Sequence, residues 1–230
     1  MLNQNEQQQR LEVINQKIAT KPDDSELCDL LIERAHIYDS LKDHVASIKD
    51  YFAALDVASD REKVAHINSM ISLALLTHDK KEEALWWAMA AVDRDPNGEE
   101  ANYVLGMNLA ISEFHNMAVE SFKKTLDINP EHKEAFLAWG VNVSKILKRL
   151  TEGREILTSY TKKYPTDAKG LFELAFATYM SSVGPNFAVH LFKAKELFEK
   201  TLTLECSERL VRRIRDLLEE IDILIASNNL

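Results

Sequence analysis

Apolar side chains recur along this chain at helical spacing, and the helices they mark come in pairs. Leu11, Ile14 and Ile18 share one helical face, and Pro22 ends that run. Leu31, Ala35 and Tyr38 then mark one helix and Ile48, Tyr51, Ala54 and Leu55 a second, with a turn over Leu41–His44. Ser59-Asp60 offers a short oxygen-bearing side chain to the free backbone N–H groups of the next helix. That helix turns Ile71, Ser72 and Leu75 inward, and its partner turns Ala84, Leu85, Ala88, Ala91 and Val92 inward. In the following pair Leu105, Gly106 and Leu109 face Ala118, Phe122 and Leu126, and Asn129-Pro130 stops the second helix, because proline cannot donate. Phe136, Trp139, Gly140 and Val143 open a fourth pair that continues through Leu157 and Tyr160 and closes at Tyr164-Pro165.

A fifth pair carries Leu171, Leu174, Ala175 and Thr178 on one helix and Ala194, Phe198, Thr201 and Leu202 on the other. Extra residues separate its halves around Met180–His190, where Gly184-Pro185-Asn186 signals a turn, so a longer connection and an extended second helix are expected. Ser207 can cap a last helix whose stripe is Leu210, Ile214, Leu217, Leu218, Ile221 and Leu224, with Arg212, Arg213, Asp216, Glu219 and Glu220 facing out.

The pairs repeat at a fixed interval. Pro96 and Pro130 are 34 residues apart, as are Ala84 and Ala118, Leu85 and Val119, Val92 and Leu126, Ile71 and Leu105, Gly106 and Gly140, and Leu105 and Trp139. Self-similarity at this period marks a stacked array of helical hairpins. The units run about 24–59, 61–96, 97–130, 131–165 and 166–206, within an array spanning 23–206. Residues 1–22 form a leading helix whose Gln/Asn-rich first ten residues fray, and 207–230 a C-terminal capping helix with a polar outer side. Pro130 and Pro165 are 35 residues apart; the extra residue belongs in the Lys145–Leu150 turn. Gly153 falls where other units carry Ala or Ser.

Composition narrows the function. A 46% apolar, 28% charged chain with 6 Gly and 5 Pro suits a folded helical protein with few breakers. The net charge of −9 argues against phosphate-neutralising nucleic-acid binding and against a polybasic membrane contact. The apolar runs at 173–180 and 221–226 are too short to span a bilayer, and the start shows no basic segment followed by an apolar one. Two lone cysteines, Cys28 and Cys206, offer neither a disulfide framework nor a CxxC, which favours the cytoplasm.

His36, His66, His78, His115 and His190 are scattered with no pair at metal-ligand spacing, and His132 near Glu131 and Glu134 suits a helix start. Phosphate-loop, nucleophile-elbow, HExxH and Cys–His signatures are missing, so neither enzyme activity, a metal nor a cofactor is expected. Trp86 and Trp87 stand beside the inward stripe, either packed against the next unit or forming an exposed aromatic patch.

These residues resemble the tetratricopeptide repeat (TPR) family over roughly 24–206, through Leu105-Gly106, Ala118, Phe122 and Pro130, through Ala84, Ala91 and Pro96, and through Phe136, Gly140 and Pro165. The first and fifth units are degenerate. The resemblance implies an all-α, TPR-like α-solenoid, a right-handed superhelix of helical hairpins whose first helices line the concave side. That side would present Ile32 and His36, Ser69 and Leu73, Tyr103 and Met107, Leu137 and Val141, then Phe172, Phe176 and Tyr179, either as an open groove or, in a tight superhelix, as plain core packed on itself or on the C-terminal helix. No Lys, Arg or Asn stands among them to hold a terminal carboxylate, so binding of an Hsp70/Hsp90 tail through a carboxylate clamp is not expected.

The expected role is therefore a non-catalytic scaffold or adaptor holding an amphipathic helix or hydrophobic peptide of another protein. Alternatives are a structural subunit or homodimer meeting through Ile221–Ile225 of the C-terminal helix, and a secretion-chaperone-like TPR protein.

Overall fold

The structure, a computed structural model, describes residues 3–146 and 149–228. Among these residues there are twelve α-helices, one 3₁₀ turn and no strand. Consecutive helices pack in pairs, as the repeat predicts. The described chain forms two compact units: residues 3–114 with 127–130, and residues 115–126 with 131–228.

The first unit contains α1 (Gln4–Ala19), α2 (Asp24–Ser40), α3 (His44–Val57), α4 (Arg61–Thr77), α5 (Lys81–Arg94) and α6 (Glu99–Ile111). Asn3 caps α1 in a reciprocal capping box with Glu6, so the helix starts at Gln4, whereas the sequence suggests fraying to residue 10. Asp23, Asp43 and Asp60 each accept a backbone N–H two to three residues into α2, α3 and α4. The hairpin turns share one closure. Lys42, Asp79 and Glu113 have φ of 63°, 57° and 64°. Just after them, the N–H groups of Asp43, Lys80 and Phe114 donate back to Tyr38, Leu75 and Leu109 at 2.9, 3.2 and 2.8 Å. This six-to-one bond satisfies carbonyls that the ended helix leaves free.

Tyr51, Ala54, Ile67, Ile71 and Ala84 are fully buried in a core shared by α2 to α5, and Leu11 and Ile14 seat α1 on Leu30 and Ile37 of α2. Arg34 ties three helices together. Its Nε and Nη2 donate to Asp50 of α3 at 2.6 and 2.7 Å, and its Nη1 donates to Asn15 of α1 at 2.7 Å.

The second unit contains α7 (His115–Ile128, whose last two residues group with the first unit), α8 (Lys133–Lys145), α9 (Leu150–Lys163), α10 (Ala168–Met180), α11 (Phe187–Leu202) and α12 (Glu208–Ser227). The period's small residues mark where helices meet. A Cβ on Gly140 of α8 would come within 2.9 Å of the Leu157 side chain on α9. One on Gly153 of α9 would come within 2.5 Å of the Ser144 backbone nitrogen on α8. The Lys145–Leu150 turn includes residues 147 and 148, which lie outside the described residues. Between α10 and α11 the added residues form a 3₁₀ turn over Gly184–Asn186, with Gly184 at φ 63°, and α11 runs to 16 residues against 14 in α9. Ile214 and Ile221 of α12 are fully buried in the same core as Leu157, Phe172, Leu191 and Phe198.

Candidate functional site

The first helices of the first unit share a face, and polar contacts between them show how they align. Lys63 of α4 donates to Asp29 of α2 at 2.6 Å, and His66 Nδ1 of α4 meets Glu100 of α6 at 2.6 Å. Each pair is one period apart, 34 residues. The His36 and His66 rings lie 5.6 Å apart. Sequence spacing hides this pair, because it forms between equivalent helices of neighbouring units. No group of three metal-ligating side chains forms among the described residues.

The Tyr51 hydroxyl donates to Asp39 at 2.7 Å and lies 3.1 Å from His36 Nδ1. Desolvation of its ring, and then the neighbouring His66, lower the His36 pKa. Burial, and then the Asp39 carboxylate, push the Tyr51 hydroxyl far above the usual tyrosine range. Tyr51 therefore keeps its single proton, which it gives to Asp39, and its oxygen is left to accept from a His36 Nδ1–H.

Ile32, Leu73, Tyr103 and Met107 are half-buried, while His36 is exposed and Ser69 is fully buried. Each of the four apolar side chains keeps a minor part of its surface exposed. Their polar neighbours remain hydrated.

The second unit treats its equivalent residues differently. Leu137 and Phe172 are only 6% and 2% exposed, and both belong to the core. For these two residues the core reading of the sequence fits the structure, and neither offers much surface to a partner. Val141, Phe176 and Tyr179 are half-buried against that core, which also receives Leu210, Leu217, Leu218, Leu224 and Ile225 of α12. On α10 part of the cover comes from the chain's own C-terminal helix. The Arg213 guanidinium lies 4.9 Å from the Phe172 ring centroid and 5.5 Å from that of Phe176. The Tyr179 hydroxyl donates to Glu220 at 2.6 Å. Burial, with Glu220 next, pushes the Tyr179 pKa up to about 12. Arg213 and Glu220 thus join the contact, although the α12 pattern alone places both on the outer side. Glu173 of α10 carries a carboxyl whose pKa is raised by burial, against the pull of Lys145, Arg213 and Lys169.

On the other side of the first unit the two tryptophans part ways. Trp86 is 60% exposed, whereas Trp87 packs partly into the core beside Phe52. His132, singled out for its acidic neighbours, caps α8 by accepting the Ala135 N–H at 3.2 Å.

Neither a protein-family model nor a curated protein sequence matches this chain. Solved structures do match it. YrrB, described as a TPR protein with an unusual peptide-binding site, superposes with a TM-score of 0.59 at 16% identity, over 81% of this chain and 91% of its own. MamA gives a TM-score of 0.61 at 15% identity, over 80% and 98%. PilF of Pseudomonas aeruginosa gives a TM-score of 0.67 at 14% identity, over 88% and 91%. At these identities the likeness is one of fold, and the fold is the TPR-like solenoid.

Proposed function

We propose that this chain is a non-catalytic protein-interaction scaffold whose open face lies on α2, α4 and α6 and receives an apolar segment of another protein. One observation carries the reading. Ile32, Leu73, Tyr103 and Met107 recur on equivalent helices as partly exposed side chains, and no cation among them suits a carboxylate clamp. The fold supports a protein partner in general, and YrrB, a protein of this fold, has a peptide-binding site. The second unit supplies a parallel within the chain: the same register on α10 is occupied by an amphipathic helix, α12. An amphipathic helix or an extended hydrophobic peptide fits such a face. Each fully buried Leu- or Phe-sized side chain contributes about 1.5–3 kcal/mol, so a few anchors suffice for micromolar binding after association costs.

A cytoplasmic setting and a secretion-chaperone-like role belong to the same reading, and the free thiols of Cys28 and Cys206 suit a reducing compartment. The homodimer reading is weaker. Ile221 is fully buried and Ile225 packs on the core, so Ile223, 62% exposed, is the residue of that end left to meet a second copy.

Photo-crosslinking tests the scaffold reading. A crosslinking residue replaces Met107 in one sample and Glu82, exposed on α5, in another. The expected result is a discrete protein adduct at 107, lost in a Leu73→Glu background that keeps its helical circular dichroism. Indistinguishable adducts from the two positions would overturn the reading, as would loss of the fold in Leu73→Glu.

A further inference from the structure

A pocket of about 440 Å³ opens between the end of α3, the start of α4 and the length of α5. Volumes of this order are typical of ligand sites. It shares no residue with the face described above. Leu55, Val64 and Trp87 form its apolar walls, with Trp86 at its edge. The Trp86 ring stands at 89° to that of Trp87, 4.7 Å away, and Trp87 stands at 70° to Phe52, 5.4 Å away. This edge-to-face row holds Trp86 in place although 60% of its surface is open to solvent. A large, oriented and uncovered indole is the side chain that most often anchors a protein partner.

Two further features give the pocket a chemical preference. Arg61 and Arg94 line it, both are exposed, and neither makes an ion pair or hydrogen bond among the described residues. No carboxylate lines the pocket, in a chain whose net charge is −9. Arg61 is the first residue of α4, where the helix dipole disfavours a cation, so its placement is not explained by the stability of that helix. Asn68, also lining the pocket, is 3% exposed, and its Oδ1 has no donor within the protein. Buried acceptors are normally satisfied. With the side-chain amide turned by 180°, that oxygen would take the place of Nδ2 and accept a main-chain N–H entering the pocket.

We propose that this pocket is a second docking site, for a partner peptide in which an Asp or Glu side chain lies beside a bulky apolar residue. The apolar side chain enters between Leu55, Val64 and the indoles. The peptide N–H donates to Asn68, and the carboxylate takes charge-assisted hydrogen bonds from Arg61 and Arg94 at the rim.

The test uses the full-length, ¹⁵N-labelled chain and follows the indole N–H signals of Trp86, Trp87 and Trp139, assigned with single Trp→Phe variants. The probe is acetyl-Leu-Glu-Phe-amide, whose blocked ends leave the side-chain carboxylate as its charge. Saturable shifts of Trp86 and Trp87 with Trp139 unmoved are expected. Acetyl-Leu-Gln-Phe-amide should bind about tenfold or more weakly, and so should the acidic peptide to an Arg61→Gln, Arg94→Gln double variant. Both arginines are exposed and unpaired, so that variant should keep its circular dichroism. The proposal is overturned by any of three results: no shift at millimolar peptide, equal binding of the Glu and Gln peptides, or binding of acetyl-Leu-Gln-Phe with a free C-terminus in preference to the blocked acidic peptide.

Discussion

Replacing Ile214 by Ala measures what holds α12 on the second unit. Ile214 is fully buried in the core that contains Phe172, Leu191 and Phe198. Truncating such a side chain removes transfer energy and leaves a cavity, a cost of about 2–5 kcal/mol. Ile223, on the same helix but 62% exposed, provides the comparison, and its truncation should stay within about 0.5 kcal/mol. The assay needs a reporter confined to this unit. Trp139 provides one once Trp86 and Trp87, which both lie in the first unit, are changed to Phe. With a urea slope of about 2 kcal/mol/M for a unit of this size, Ile214→Ala should lower the Trp139 midpoint by about 1–2.5 M, and Ile223→Ala by about 0.3 M at most. Equal, small shifts for both would refute the reasoning, because they would mean that α12 detaches without disturbing the core.

Helix propensity and packing give opposite signs for Gly153→Ala: alanine is favoured by about 1 kcal/mol within a helix, but its Cβ would meet Ser144 backbone at 2.5 Å. The backbone cannot yield as a side chain would, so a net loss of about 1–3 kcal/mol is expected from urea melts of the same Trp139 reporter. Glu173→Gln tests the buried carboxyl. Because burial raises the folded pKa above the usual 4.5, the folded state holds its proton more tightly than the unfolded one, and stability falls as pH rises through that range. The substitution should therefore stabilise the second unit at pH 7 and have little effect at pH 4, as read from melting temperatures at the two pH values. Arg34→Gln leaves the Asp50 carboxylate, 6% exposed, without its bidentate partner. It should destabilise the first unit by about 3 kcal/mol, discounted from the full range because the arginine is one-fifth exposed. Trp86 and Trp87 fluorescence during urea unfolding would report the loss.

The repeat was legible because it is a packing constraint. Where helices touch, as at Gly153 and Ala84, only a small side chain fits, and the interval shows in the sequence whatever fills the other positions. The caps at Asp60 and Ser207 and the turn at Gly184-Pro185-Asn186 were legible for the same reason, since each is settled by its immediate neighbours. The approach of His36 to His66 was not, because it depends on how one helix lies against its equivalent in the next unit. The α12 stripe could be read, whereas its resting place on Phe172, Phe176 and Tyr179, which takes apolar surface away from a partner, was one of two readings that the pattern left open. The pocket beside Trp86 draws Arg61, Asn68 and Arg94 from two helices, and no local pattern joins them. A signal was nonetheless present in the adjacent tryptophans, of which only one could face inward.

The contrast between the two faces follows from what each would expose without cover. On α10, Phe172, Phe176 and Tyr179 follow one another at helical spacing, and leaving three such side chains in water would forgo about 5–9 kcal/mol, an upper bound for a compact unfolded reference. The chain meets that demand itself. The apolar stripe of α12 supplies the cover, and Arg213 and Glu220 satisfy the π faces and the hydroxyl at its margin. On α2, α4 and α6 the apolar side chains are interleaved with Asp29, His36, Lys63, His66 and Glu100, which are paired across the helices and remain near water. Those pairs satisfy the polar groups of that face within its own unit. A partner settling there gains the burial of a few partly exposed side chains and must displace water from charged neighbours, so its binding should be reversible and modest, near the micromolar range.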